Sequence, residues 1–219
     1  MIFVLCFLSA CSSAKKSDIL RVGLSPDFPP FAFKVDNKLE GSDIQMIVSI
    51  AQKIGKKIEF HEMDFNALIP SLLSGKIDVA ISGISNTKER SEKVLFSKPY
   101  FIEKNCLLYN TKFRKFNTVH DIKENRVAAT LGTTQQTVIE KYFPNCKFYN
   151  NNFQIIEEIK IGRIDAWVVG ETQCLEFVSK YPFLKFFMLP ESYNTESSFS
   201  IAMRKEDTQL ANEINNALS

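Results

Sequence analysis

A run of small hydroxyl and glycine residues leads to an arginine in Val79-Ala80-Ile81-Ser82-Gly83-Ile84-Ser85-Asn86-Thr87-Lys88-Glu89-Arg90. Small residues let a ligand approach the backbone closely, and their N–H and O–H groups are donors. Arginine adds a rigid, permanently charged fork that fits a carboxylate. The chemistry on offer is anion binding. Taken alone, the stretch reads first as a strand, a Ser/Gly turn and a solvated charge run. A second candidate is Leu131-Gly132-Thr133-Thr134-Gln135, which follows Arg126-Val127-Ala128-Ala129-Thr130 and opens a helix reaching Phe143. The free N–H groups and positive dipole end of such a helix face an anion, although threonine is also a routine N-cap. A third is Gly170-Glu171, at the end of an apolar run from Ala166 to Val169.

The elements around these positions place them together. Ile19 to Leu24 reads as a strand, and the three prolines of Ser25-Pro26-Asp27-Phe28-Pro29-Pro30-Phe31 make a rigid loop carrying two rings. A small hairpin turns near Asp36-Asn37. Asp43 then caps a helix whose stripe Ile44, Ile47, Val48, Ala51 and Ile54 is core, stopped by Gly55. Strands are expected at Lys57–Phe60 and Ile77–Ile81, separated by a helix capped by Asn66 and ended by Gly75. Beyond the connector Thr111-Lys112-Phe113-Arg114-Lys115 and a helix start at Thr118/Asp121, the alternation resumes. Strands follow at Arg126–Thr130, Lys147–Tyr149, Ala166–Val169, Lys185–Leu189 and Ser198–Met203, with helices between and a last helix from Asp207 to Leu218. Alternating strands and helices argue for parallel α/β sheets, whose ligands sit beyond the carboxyl ends of strands. All three candidates lie there. No internal repeat or low-complexity segment stands out.

The bulk composition narrows the class. With 219 residues, 45% apolar and 24% charged, the chain is ordinary globular material for one large domain or two small lobes. A net charge of +2 without charge blocks argues against nucleic acid. Met1 to Ala10 is apolar and too short to span a bilayer as a helix, and no Lys or Arg precedes it. Leu8-Ser9-Ala10-Cys11 followed by Ser12-Ser13-Ala14-Lys15-Lys16-Ser17 resembles a lipoprotein signal and tether. That reading puts a lipid on Cys11 and the chain at the outer face of the membrane or in the periplasm. Of five cysteines, Cys106, Cys146 and Cys174 lie in the body of the chain, with spacing that fits no zinc or redox motif. A Cys146–Cys174 bridge is open from sequence alone.

Taken together, the residues resemble the type 3 extracellular solute-binding proteins of polar amino-acid ABC transporters, which include the periplasmic glutamine-, histidine- and arginine-binding proteins. The likeness is carried by Val22-Gly23 with Pro30-Phe31, Gly41-Ser42-Asp43, Phe65-Asn66-Ala67-Leu68-Ile69-Pro70-Ser71-Leu72, and Asp78-Val79-Ala80 through Arg90. It continues in Phe96-Ser97 with Tyr100, Gly132-Thr133-Thr134-Gln135, Gly162-Arg163-Ile164-Asp165-Ala166 and Ala202-Met203-Arg204-Lys205.

The resemblance implies an α/β, two-lobed periplasmic-binding-protein-like fold (type II). Each lobe would be a mostly parallel sheet flanked by helices, with the ligand cleft between. Residues 1–11 would be signal, 12–17 tether, 18–106 plus 199–219 the first lobe and 107–198 the second. It implies that Ser82, Gly83 and Ser85 contact the ligand and that Arg90 holds its α-carboxylate. Thr133 and Thr134 would close on that carboxylate from the second lobe, and Thr130 would also bind the ligand. Phe28 and Phe65 would sandwich the ligand side chain, and Phe31 would be core. Family members commonly place an aspartate where Gly170 stands, to bind the ligand ammonium; Glu171 or another acid would have to take that role. They also run on beyond a C-terminal helix such as the one in which Asn216-Ala217-Leu218-Ser219 falls. Ser25 stands where members that bind basic amino acids often carry an acid, which leaves glutamine level with arginine, and Asp27 or Glu62 could compensate.

The function implied is capture of a polar amino acid by hinge closure and delivery to an ABC permease and its ATPase, as a monomer without cofactor or metal. The alternative is an enzyme on the same fold, of the cyclohexadienyl or arogenate dehydratase kind. Such chemistry needs a positioned acid or base in the cleft, for which Glu171 is the candidate, His61 and His120 lying away from the expected cleft loops. An adhesive surface lipoprotein is a third reading, disfavoured by the intact serine–arginine set.

Overall fold

A computed structural model describes residues 18–193 and 197–218. The leader, Cys11 and the tether lie outside the described residues.

Two five-stranded sheets organise the chain. The first runs in the order Lys57–Glu62, Ile19–Leu24, Val79–Ala80, Ala202–Arg204, Val94–Phe96. Its first three strands are parallel and the last two antiparallel to their neighbours. The second has the order Cys146–Tyr149, Val127–Thr130, Ala166–Gly170, Asn105–Asn110, Leu184–Met188, with the same division into a parallel trio and two antiparallel strands. Helices Ser42–Lys53, Leu68–Leu73 and Thr208–Ala217 cover the first sheet; Thr134–Tyr142, Asn152–Lys160 and Glu171–Lys180 cover the second. Each sheet has its own core. Leu20, Val22, Ile47, Val79 and Met203 pack in one, and Trp167, Leu108, Ile155, Ile159 and Phe177 on one face of the other. Burial of such side chains contributes roughly 1.5–3 kcal/mol each, so each lobe holds a substantial core.

The chain passes between the sheets twice. The strands Phe101–Glu103 and Ser197–Phe199 pair antiparallel as a small separate sheet at these crossings. The sequence expectation of one strand from Ser198 to Met203 is corrected: Ser200 and Ile201 separate the crossing strand from Ala202–Arg204. The division expected after residue 106 falls inside the strand Asn105–Asn110.

The lobes share a brace that the sequence reading did not count as a repeat. In the first, Arg21 donates from its backbone N and its Nε to Asp78 Oδ2 at 3.0 Å, and from Nη1 to the Gly75 carbonyl at 2.7 Å. In the second, Arg126 donates from N and Nε to Asp165 Oδ2 at 3.0 and 2.8 Å, and from Nη2 to the Gly162 carbonyl at 2.9 Å. Each aspartate takes a second arginine, Arg204 and Arg114 respectively. Gly75-Lys76-Ile77-Asp78 and Gly162-Arg163-Ile164-Asp165 are the sequence trace of this repeated strand-helix-strand unit.

Several local expectations also change. Asp43 lies in the first turn of its helix, but its carboxylate does not cap: it is fully buried and accepts from the Gly83 N–H and the Tyr100 hydroxyl, both at 3.1 Å. Asn66 sits inside a 3₁₀ turn, Phe65–Ala67, without a capping bond. Cys106, Cys146 and Cys174 are free thiols, so no Cys146–Cys174 bridge forms. Cys146 points instead at the Ile139 and Phe143 carbonyls.

Candidate functional site

The strand ends of both sheets face one another across a cavity between the lobes. From the first lobe come Phe28, Phe65, Ser82, Gly83, Ser85 and Arg90; from the second come Thr130, Thr133, Thr134 and Gly170. Glu171 does not line the cavity. It is the first residue of the helix Glu171–Lys180, where its N–H donates to the Lys104 carbonyl. Phe31 is buried behind Phe28 and stacks on it at 4.9 Å between ring centroids. His61 and His120 are not on the lining.

Local folding explains how the first-lobe wall is held. The Ser82 hydroxyl accepts from the Ser25 N–H at 3.2 Å and donates to the Ser25 carbonyl at 3.3 Å, tying two strand ends together. Gly83 has φ +59°, and a Cβ there would lie 2.3 Å from the Phe28 ring, so glycine permits both the turn and the ring. Thr87 caps the short helix Lys88–Ser91 by accepting from the Arg90 N–H, which fixes the base of the arginine side chain.

Arg90 is the electrostatic centre. Its Nη1 donates to the Ser85 carbonyl at 2.8 Å, its Nη2 to the Gly132 carbonyl of the other lobe at 2.7 Å, and its guanidinium lies over the Phe65 ring at 5.5 Å. No carboxylate pairs with it among the described residues. Burial lowers its pKa to about 10, and it remains a cation at neutral pH. Two carbonyls use two of five N–H donors, which leaves three for an anion.

Opposite stands the helix Thr134–Tyr142. The Thr133 hydroxyl accepts from the Gln136 N–H and donates to the Thr130 carbonyl, so it serves the cap. The first N–H groups of the helix then have no acceptor within it and carry the positive end of its dipole. A half-buried cation and a helix N-terminus converge on one space. Both favour an anion.

Sequence reasoning did not single out Asn152, Trp167, Gln173 and Phe199, which join the wall; Ser25 and Asp27, weighed from the sequence for a basic ligand, line it too. Asp27 is buried; its carboxylate accepts from the Ser25 hydroxyl at 2.6 Å and from the backbone N–H of Asn152, the first residue of a second-lobe helix. Burial raises its pKa, partly offset by these donors. The Asn152 side chain returns a bond to the Asp27 carbonyl at 3.2 Å and meets Thr130 through its Oδ1. Asp27–Asn152 and Arg90–Gly132 therefore bridge the lobes, and Asn66 adds a longer contact to Asn150 at 3.4 Å. Ser25, Asp27 and Asn152 follow strand carboxyl ends, a signal that was available; Trp167 and Phe199 lie inside strands, and Gln173 had only its place one turn after Gly170 as a signal.

The model of the bacterial extracellular solute-binding proteins, family 3, matches residues 20–219. The chain belongs to this family. Among relatives, the arginine-binding extracellular protein ArtP of Bacillus subtilis is 31% identical over 214 residues, covering 96% of this chain and 82% of that protein. A probable histidine-binding protein of Campylobacter jejuni is 33% identical, over 91% of this chain and 82% of its own. Among solved structures, the arginine-bound form of a truncated ArgBP from T. maritima superposes with a TM-score of 0.85 at 35% identity, covering 92% of this chain and 95% of that one. These family members are binding proteins, and the two-lobed α/β fold with its interlobe cleft is the family's. The family is extracellular by description.

Proposed function

We propose that this chain captures a polar α-amino acid, arginine, glutamine or similar, by closure of its two lobes, and delivers it to a membrane ABC importer. The observation that carries the reading is Arg90: a half-buried guanidinium without a carboxylate partner among the described residues, facing the N-terminus of a helix from the other lobe. A cation held partly out of water without a counter-charge is costly, and an incoming α-carboxylate relieves that cost. Phe28 and Phe65 supply apolar walls for the rest of the ligand, and Ser82, Gly83 and Ser85 supply polar contacts. The Asp27–Asn152 and Arg90–Gly132 bonds form only when the lobes meet, so ligand contacts that favour the closed state select it. The names of the relatives support an amino acid as ligand. The closed monomer would dock on a permease and its ATPase, held at the outer membrane face or in the periplasm by lipid on Cys11.

The test is a thermal-shift screen of the purified chain against the common L-amino acids. A concentration-dependent rise in melting temperature with one or a few of them supports the receptor. No shift with any amino acid, together with turnover of prephenate or arogenate, would favour the dehydratase alternative instead. Mass spectrometry of the mature N-terminus tests the anchor, since acyl chains on Cys11 are expected.

A further inference from the structure

Glu103 is 2% exposed and lies on the crossing strand Phe101–Glu103. Its Oε1 accepts from the N–H of Thr172 at 2.8 Å and from the Thr172 hydroxyl at 3.0 Å. Its Oε2 is buried and has no hydrogen-bond partner among the described residues. A carboxylate whose second oxygen is buried without a donor is expensive unless a cation reaches it.

The surroundings say where such a cation would come from. Gly170 lines the cavity, and a Cβ built on it would lie 2.7 Å from Glu103 Cδ and 3.0 Å from Oε2. The missing side chain of residue 170 is thus the space that the Glu103 carboxylate fills. Glu103 is also the cross-strand neighbour of Ser197, whose hydroxyl lies 3.2 Å from that of Thr134, at the helix N-terminus that faces Arg90. One carbon atom separates the ammonium and carboxylate of an α-amino acid, so the acceptor for the ammonium must stand beside the anion site. Other polar groups nearby do not fit the task. Both oxygens of Asp27 are engaged and Gln173 is a neutral amide; Glu171 and Glu103 are both off the cavity wall, and it is Glu103 whose carboxylate sits directly behind Gly170 with one oxygen unpartnered.

Resting on the amino-acid reading above, we propose that Glu103 receives the ligand's α-ammonium across Gly170, which makes the cavity a zwitterion site with Arg90 and Glu103 as its two poles. The same carboxylate holds the start of the helix Glu171–Lys180 through Thr172. Burial, with Glu171 nearby, raises its pKa, and an arriving ammonium would favour the charged form.

The test is calorimetric titration of the full chain with L-arginine and L-glutamine, each beside its des-amino analogue, 5-guanidinopentanoate and glutaramate. The wild type should prefer the amino forms by about a hundredfold. Glu103→Gln should remove that preference by weakening the amino forms while leaving the analogues unchanged; a purely structural glutamate would weaken all four alike. Gly170→Ala, whose methyl group must push the carboxylate aside, should cause the same selective loss and decides the matter if Glu103→Gln does not fold. Retention of the wild-type preference in the folded variant overturns the proposal, as does a wild type that binds amino and des-amino forms equally. A wild type that binds neither amino acid overturns the receptor reading as well.

Discussion

Arg21 and Arg126 differ from Arg90 in what answers their charge. The first two stand at matching places in the two lobes and are each clamped to an aspartate by several hydrogen bonds. Arg90 is half-buried as they are, yet only carbonyl oxygens and a ring meet it. A paired arginine at a strand start braces the fold. A half-buried arginine left without a carboxylate carries an electrostatic demand that a ligand can satisfy. The pairing, rather than the residue type, sets the proposed ligand arginine apart from the two braces.

The comparison can be broken first at Arg90. Arg90→Ala should weaken binding of the amino acid that shifts the melting temperature by about a thousandfold, while leaving the unliganded melting temperature level or higher. Arg126→Ala should do the reverse, with affinity held within a few-fold and stability reduced by about 2 kcal/mol. That is less than a fully buried pair would give, because Arg126 is 41% exposed. Titration and chemical denaturation of both variants read this contrast.

The braces have a pH signature. Burial pushes the Asp78 and Asp165 carboxyls up, but the arginine donors outweigh it and hold both below the ordinary carboxylate value of 3.8. Groups of this kind bind fewer protons when folded. Their contribution is therefore complete above the unfolded value and is lost as pH falls through the folded one. Urea melts below about pH 4 should show this loss, and Asp165→Asn should shrink it.

Asp43 behaves in the opposite sense. Burial raises its pKa to about 7, against the pull of the Gly83 N–H and the Tyr100 hydroxyl. The folded state keeps a proton that the unfolded chain releases, so its contribution is full below 3.8 and fades as pH rises toward 7. Asp43→Asn should flatten the decline in stability over that window, measured as melting temperature against pH. The smallest effect belongs to Gly83→Ala. Its methyl group would meet the Phe28 ring, and ligand affinity should fall about tenfold through a displaced ring and a strained turn.

Much of this was legible in the sequence because it depends on local order. Alternating apolar runs gave the parallel trios, and small residues after strands gave the lining from Ser82 to Arg90 and from Thr130 to Thr134. The unread parts depend on contacts between distant segments. Asp43 has the spacing of a helix cap, and only the approach of Gly83 and Tyr100 turns its carboxylate inward. Glu103 has the look of a charged break in an apolar run, and the role proposed for it depends on Gly170 arriving beside it from the second sheet. The four-residue echo of Gly75–Asp78 in Gly162–Asp165 was too short to read as a repeat until both aspartates were seen to hold equivalent arginines.

The central claim is that the Arg90 guanidinium answers a ligand α-carboxylate. Titration of the full chain with L-arginine against L-argininamide, and with L-glutamine against its α-amide, tests it directly. The account predicts saturable binding of at least one free acid and loss of binding for the corresponding amide. Equal affinity for acid and amide would contradict it.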